Sequence, residues 1–297
     1  MNINQYTVCN SPIEENKFLD QAIYLKRDDL LHPDFSGNKA RKFYYFLLNE
    51  FPNIKKVVGY GSNQSNAMYS LSVLAKIKGW EFEYYTDHLS SYLVDNPHGN
   101  YKNALANGMK LIIGEGEPKR ELIENEETAF VEEGGRQPEA EDGVSLLAKE
   151  IEEWREEQNI AHLNIFLPSG TGTTALFLQK NLSIACSVYT VPCVGDGAYL
   201  KKQFLILDEN ETRHPIILEP SKKRHFGKLY RESYKIWLEL QGQMGIEFDL
   251  LYDPVGWLTM MENPEIFKEP TLYIHQGGHL GNESMLMRYK RKYGEDI

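Results

Sequence analysis

Short apolar runs alternate along the middle of the chain with longer stretches of helical spacing, and this alternation restricts the fold more than any other feature. Lys56-Val57-Val58-Gly59 reads as a buried strand. Residues 64–78 follow, with apolar side chains at Ala67, Met68, Leu71, Leu74 and Ala75, the recurrence of one helix face. Residues 81–85 form the next strand candidate. Residues 96–107 read as a helix closed by Gly108, and residues 110–113 as a third strand. Strands separated by helices of this length pair in parallel, because a parallel connection needs a crossover. A second unit of the same kind begins near Pro138, which can occupy the first turn of a helix striped by Val144, Leu147, Ala148, Ile151 and Trp154. Further strand candidates are residues 164–167, 187–192, 216–218 and 271–275. The expected class is α/β, with parallel sheets and flanking helices. The 297 residues suffice for two domains. Residues 115–141 are acidic and contain Gly, Pro and Asn, which places a domain crossing near their end.

Composition narrows the function classes. Hydrophobic residues at 41% and charged residues at 25% argue against a disordered chain. A formal net charge of −11 opposes general binding to nucleic acid, and the Lys222-Lys223-Arg224 cluster reads as a solvated loop face. Cys9, Cys186 and Cys193 are odd in number and lack Cys-x-x-Cys spacing, so neither a disulfide framework nor a zinc site is expected. The N-terminal residues lack a charged start followed by an apolar run, and no apolar stretch is long enough for a bilayer. The expected setting is the cytoplasm, with no membrane and no nucleic-acid partner.

Three segments carry chemistry. In Ser36-Gly37-Asn38-Lys39-Ala40-Arg41-Lys42, a glycine lets the backbone crowd a ligand, and Lys39 opens a helix over 39–49. The helix dipole there is expected to lower the lysine pKa, as a nucleophilic amine needs. A lysine at a helix start is nonetheless usually solvated. Gly59-Tyr60-Gly61-Ser62-Asn63-Gln64-Ser65-Asn66 joins a strand to a helix. Gln64 stands where a dinucleotide fingerprint needs its third glycine, and the polar groups suit a carboxylate. An ordinary helix cap by Ser62 or Asn63 is the plainer reading. Ser169-Gly170-Thr171-Gly172-Thr173-Thr174 offers N–H and O–H donors before a helix over 175–181, a phosphate cradle without the Gly-Lys-Ser/Thr of a Walker loop. His275 and His279 flank Gly277-Gly278 and are structural or acid–base candidates; no metal site is expected.

Together these segments resemble the 1-aminocyclopropane-1-carboxylate (ACC) deaminase / D-cysteine desulfhydrase family, in the tryptophan synthase β-like, fold type II group of pyridoxal 5'-phosphate (PLP) enzymes. The likeness runs in order. Lys26-Arg27-Asp28-Asp29-Leu30 and the Ser-Gly-Asn-Lys-x-Arg-Lys segment resemble the PLP-lysine motif. Ser62-Asn63-Gln64 is similar to the substrate loop, and residues 169–174 to the phosphate loop. Asp249-Leu250-Leu251-Tyr252 and His275-Gln276-Gly277-Gly278 resemble two later segments, and Val131-Glu132-Glu133-Gly134-Gly135 the return to the large domain. The resemblance implies a large PLP-binding domain of residues 1–41 and 136–297, a smaller inserted α/β domain of residues 42–135, a cofactor in the cleft between them, and a homodimer. It implies Lys39 as the Schiff-base lysine and proton carrier, with Ser62 and Tyr252 as further catalytic groups. Asn63, Gly170, Thr171, Gly172, Thr173, Thr174, Tyr252 and Asp253 would bind the cofactor, Asp253 at the ring nitrogen. Ser62, Asn63 and Gln64 would bind the substrate. The implied reaction releases ammonia and an α-keto acid from a small amino acid such as ACC or D-cysteine. Another β-eliminating or replacing PLP enzyme, and a non-catalytic PLP or amino-acid binder, are the alternatives. Asp253 and Gln276 depart from the residues usual in both branches of the family.

Overall fold

The structure is a computed structural model that describes residues 8–35 and 37–294; Ser36 of the lysine segment lies outside the described residues. It contains two sheets. The larger has the order β1-β2-β10-β7-β8-β9 and the smaller the order β5-β4-β3-β6. The large sheet opens with an antiparallel hairpin of β1 (Ile13–Phe18) and β2 (Gln21–Arg27). From β2 onward every pairing is parallel, through β10 (Thr271–His275), β7 (Leu163–Ser169), β8 (Cys186–Pro192) and β9 (Ile216–Ile217). The small sheet is parallel throughout, with β3 (Lys56–Tyr60) between β4 (Glu81–Thr86) and β6 (Thr128–Val131), and β5 (Met109–Ile113) at its edge. The expected α/β class with parallel sheets and flanking helices is therefore what the chain forms.

Both faces of the large sheet are covered, as parallel sheets require. Every residue of β7 is buried. Its side chains alternate between two cores. Leu163, Ile165 and Leu167 meet α7 (Ala140–Glu157) and α8 (Thr173–Asn181), while Phe166 joins a core with α10 (Arg231–Met244) and α11 (Asp253–Glu262). β10 repeats the division, with Leu272 and Ile274 on the first side and Tyr273 on the second. The stripe expected on α7 is real: Val144, Leu147, Ala148 and Ile151 are buried and Trp154 packs at its edge.

Several boundaries differ from the sequence expectation, each for a local reason. The helix expected over 39–49 is two short helices, α1 (Gly37–Lys42) and α2 (Tyr44–Leu48), interrupted at Phe43. The helix expected from residue 64 is α3 (Asn66–Lys78), because Ser65 is the cap: its hydroxyl accepts from the N–H groups of Ala67 and Met68. Ser62 and Asn63 are thus not the caps but stand in the turn before the helix. The helix expected over 96–107 is the shorter α5 (Gly99–Ala106), and a separate short helix, α4 (Ser91–Asp95), precedes it with Pro97 between them. The acidic stretch 115–141 holds α6 (Arg120–Ile123) and the fully buried β6. In the basic cluster, Lys222 and Lys223 are exposed, whereas Arg224 is buried and paired with Glu232.

Candidate active site

The chemical segments converge because parallel strands deliver their following loops to one edge of a sheet. β3 ends in Gly61-Ser62-Asn63-Gln64, β7 in the Gly170 loop, and β10 in Gln276-Gly277-Gly278. All three loops line one cavity of about 930 Å³, together with Lys39, Asp249, Tyr252 and Asp253. Every sequence-predicted site residue therefore reaches the same space. His275 and His279 do not line it. The His275 ring is buried, with Nε2 on the carbonyl of Glu247 and Nδ1 accepting from the N–H of Gly277. Asp29 lies near both imidazoles, but its two oxygens are held by Arg27 at 2.9 and 2.8 Å.

Lys39 is 9% exposed. Loss of hydration lowers its pKa from 10.5 to about 8, opposed by a hydrogen bond to Lys42 and by the charge of Asp249. Burial is the largest cause of the shift. Gly37 has a different use from the one expected. A Cβ there would lie 2.2 Å from the carbonyl oxygen of Asp28, so glycine admits the preceding backbone and not a ligand. Lys42 lies one helical turn on, buried, with Nζ 3.0 Å from the carbonyl of Gly134. Burial and the nearby cations Lys39 and Arg136 push its pKa well down. The sequence reading gave Lys42 no role, although its i, i+3 spacing from Lys39 was the available signal.

The Gly170 loop is shaped by two contacts. Gly172 caps α8 in the left-handed conformation (φ 72°), and a Cβ on it would lie 2.4 Å from the ring of Phe204. Gly170 lies under Tyr252, whose ring carbons and hydroxyl would be 3.5 Å from a Cβ. Thr171 and Thr173 share a hydrogen bond of 3.0 Å. The hydroxyl of Thr174 is buried and has no partner among the described residues. Such a group costs free energy unless something accepts from it or donates to it. An anion at this helix N-terminus would satisfy it.

On the opposite side, Ser62 Oγ lies 3.4 Å from the N–H of Gln64, Asn63 donates to the carbonyl of His88 at 2.5 Å, and the carbonyl of Gln64 accepts from Asn100 at 2.9 Å. Asp249 is a site residue to which the sequence reading assigned no role. One of its oxygens accepts from the N–H groups of Leu251 and Tyr252 at 2.8 and 2.5 Å, shaping the turn that delivers Tyr252. Burial raises its pKa from 3.8 to about 6 against those bonds and the pull of Asn66 and Lys39. Asp253 is buried. Its oxygens accept from the Tyr273 hydroxyl at 2.6 Å and the Asp249 N–H at 2.8 Å. Burial and the Asp249 charge push its pKa well up. Gln276 ties two segments together: its carbonyl group accepts from Asn38 at 3.0 Å, and its amide donates to Pro168 O at 2.8 Å.

No family model and no curated protein matches the chain. Solved structures do. A crystal structure of an ACC deaminase homologue superposes with a TM-score of 0.77 over 95% of this chain and 92% of that one, at 20% identity. A threonine deaminase from T.th. gives 0.65 over 90% and 92%, at 14% identity. A hydrogen sulfide-producing enzyme from Fusobacterium nucleatum gives 0.64 over 94% and 98%, at 13% identity. The chain therefore has the fold type II architecture that its ordered motifs anticipate, shared over nearly its whole length with these structures.

Proposed function

We propose that the chain is a PLP-dependent deaminase or lyase acting on an amino acid of the ACC or D-cysteine kind, releasing ammonia and an α-keto acid. The observation that carries this reading is a buried amine, Lys39, with a pKa lowered to about 8, in one cavity with the Gly170 loop and the unpartnered Thr174 hydroxyl. These residues fit the cofactor. Lys39 would hold it covalently, since a lysine that readily gives up its proton is the nucleophile that a carbonyl needs. The N–H and O–H groups of Gly170, Thr171, Gly172, Thr173 and Thr174 would take its phosphate, beside the Lys42 amine. Asn63 would reach the phenolic oxygen, Tyr252 would cover the ring, and Asp253 would face the ring nitrogen. When bound, PLP supplies an electron sink for the bonds at the substrate α-carbon.

The rest belongs to the chain itself. Ser62, Asn63 and Gln64 would hold the substrate carboxylate before α3. The Lys39 amine, with Asp249 adjusting its affinity for a proton, would return to proton transfer once displaced. Ser62 and Tyr252, which line the same cavity, would be further proton donors or acceptors. The presence of two sheets supports the proposed division into residues 1–41 with 136–297 and residues 42–135, and the proposed assembly is a homodimer.

The test is a visible spectrum of the protein mixed with PLP, alongside Lys39→Ala, followed by ammonia and keto-acid release from ACC, D-cysteine and serine-like substrates. A new visible band in the wild type that is absent in the variant, with turnover, is the expected result. A band without turnover on any amino acid favours the non-catalytic binder. Sulfide or replacement products favour the β-eliminating alternative. An identical spectrum in the variant would overturn the assignment of Lys39.

A further inference from the structure

The cavity has a lining that extends beyond the loops proposed to hold the cofactor and the substrate carboxylate. At about 930 Å³ it lies near the top of the range of roughly 300–1,000 Å³ that holds drug-sized ligands. Its extra length follows α12 (Leu280–Tyr293). Gly281, Ser284, Met285, Arg288 and Arg291 all line it, the recurrence of one helix face. Gly281 marks the deep end, where a Cβ would lie 3.5 Å from Asn66 and 3.9 Å from Asp249. At a rise of 1.5 Å per residue, Arg288 is about 10 Å and Arg291 about 15 Å farther along the axis. The helix therefore leads from the lysine end to the mouth.

Among the described residues, no carboxylate forms an ion pair with the charges at that mouth. Arg288 is partly buried; one guanidinium nitrogen donates to the carbonyl of Gly227 at 2.5 Å and another lies 3.3 Å from the Met285 sulfur. Burial and repulsion from Arg291 hold it below its ordinary pKa, and no carboxylate is among the groups that act on it. Arg291 lies over the ring of Tyr92, 5.1 Å from its centroid. Among the described residues neither makes an ion pair, whereas Arg27, Arg41, Arg155 and Arg224 each have a carboxylate. In a chain of net charge −11, carboxylates are abundant, and among the described residues none pairs with these two.

We propose that the outer half of the cavity is a subsite for a distal oxyanion, so that the substrate is an α-amino acid whose side chain ends in a carboxylate or phosphoryl group held by Arg288 and Arg291. This rests on the amino-acid reading above and adds the side chain to it. Guanidinium groups bind such oxyanions through directed, charge-assisted hydrogen bonds. Tyr92 and Phe226 also line this cavity.

The test is calorimetric binding to the full chain, with and without added PLP, of both enantiomers of glutamate, 2-aminoadipate and O-phosphoserine, each against a neutral counterpart (glutamine, norleucine, serine). At least one oxyanion-bearing ligand should bind tenfold or more tightly than its counterpart. That preference should fall below twofold in the R288M/R291Q double variant, with neutral ligands unaffected. R291Q alone, on the exposed last turns of α12, should reduce it at least threefold and covers the case in which R288M fails to fold. The carboxylate and phosphate arms identify which oxyanion fits. Equal binding of neutral counterparts, or a preference that survives both variants, overturns the subsite. Failure of the cofactor reading is separate: it is a wild type without a visible PLP band, whatever the calorimetry gives.

Discussion

Helix α1 carries three cations, and its two faces treat them in opposite ways. Lys39 and Lys42, one turn apart, face the cavity. Arg41, about 200° around the axis from Lys39 at 100° per residue, faces the body of the large sheet. Arg41 is fully buried, with Asp28 accepting at 3.1 and 2.9 Å and Glu150 at 2.7 and 2.8 Å. Lys26 closes the cluster by donating to Glu150 and to the carbonyl of Ser11, both at 2.6 Å. These pairings raise the Arg41 pKa and lower that of Glu150 from 4.5 to about 2. On the cavity face no carboxylate makes an ion pair with either lysine among the described residues, and both pKa values fall. The same helix, buried on both sides, thus holds one cation in ion pairs and leaves two with lowered pKa values. Compensation, not burial, separates the two roles.

The largest effect that breaks this comparison is Arg41→Met. It strands Asp28 and Glu150 without their main cation, and losing one partner of a buried ion pair costs about 3–5 kcal/mol. Urea denaturation at neutral pH should show a loss of that size. Because the Glu150 pKa is depressed, its contribution is present above about pH 4.5 and lost as the pH falls toward 2. The acid limb of the stability curve should therefore flatten in Arg41→Met. A loss under about 1 kcal/mol would mean that the cluster is no more than a set of spectators.

Lys39→Met should act in the other direction. The folded pKa of about 8 lies below the unfolded value of 10.5, so folding disfavours the charged amine. At 1.36 kcal/mol per unit this is on the order of 3 kcal/mol. The penalty is fully present below about pH 8, fades as the pH rises toward 10.5, and vanishes above it. Methionine fills similar space without the charge. The variant should be more stable than the wild type at pH 7, with the gap closing by about pH 10.5, while it loses PLP attachment. Destabilisation at pH 7 would show that the amine has a partner that lowers its cost.

How much of this was legible in the sequence depends on whether the information is local. The strand–loop–helix rhythm disclosed the parallel sheets, and the polar loops Ser62-Asn63-Gln64 and Gly170-Thr171-Gly172 all reach the cavity. The opening hairpin was missed because its turn is Leu19-Asp20, both at positive φ, where Asn-Gly is the usual signal. β6 was missed because its four residues sit inside an acidic stretch and pair with β3, a partner distant in sequence. Spacing could have put Lys42 beside Lys39. Nothing local could reveal that Arg41 would find Glu150, 109 positions away, or that Asp253 would be held by Tyr273. Those pairings arise from the topology, and they decide which charged group is structural.

The smallest effect repeats the comparison with hydroxyl groups. Thr190 is buried and satisfied: it donates to the carbonyl of Leu167 at 2.8 Å and shares a 2.7 Å bond with Ser169. Thr174 is buried in the first turn of α8, and its hydroxyl has no partner among the described residues. Replacing each by valine keeps the shape and removes the oxygen. Thr190→Val should cost about 1 kcal/mol, the net worth of a hydrogen bond, plus any penalty on the carbonyl left behind. Thr174→Val should leave the unliganded protein as stable or about 1 kcal/mol more stable, because it deletes an unsatisfied group. PLP affinity should move the opposite way in Thr174→Val. A hydrogen bond to a charged group is worth about 1.5–3 kcal/mol, so the dissociation constant should rise roughly tenfold to a hundredfold. Paired thermal melts and PLP titrations of the two variants check both arms. If Thr174→Val destabilises the protein and binds PLP as the wild type does, its hydroxyl is a structural group like that of Thr190, and the phosphate contacts must come from the rest of the Gly170 loop and Lys42.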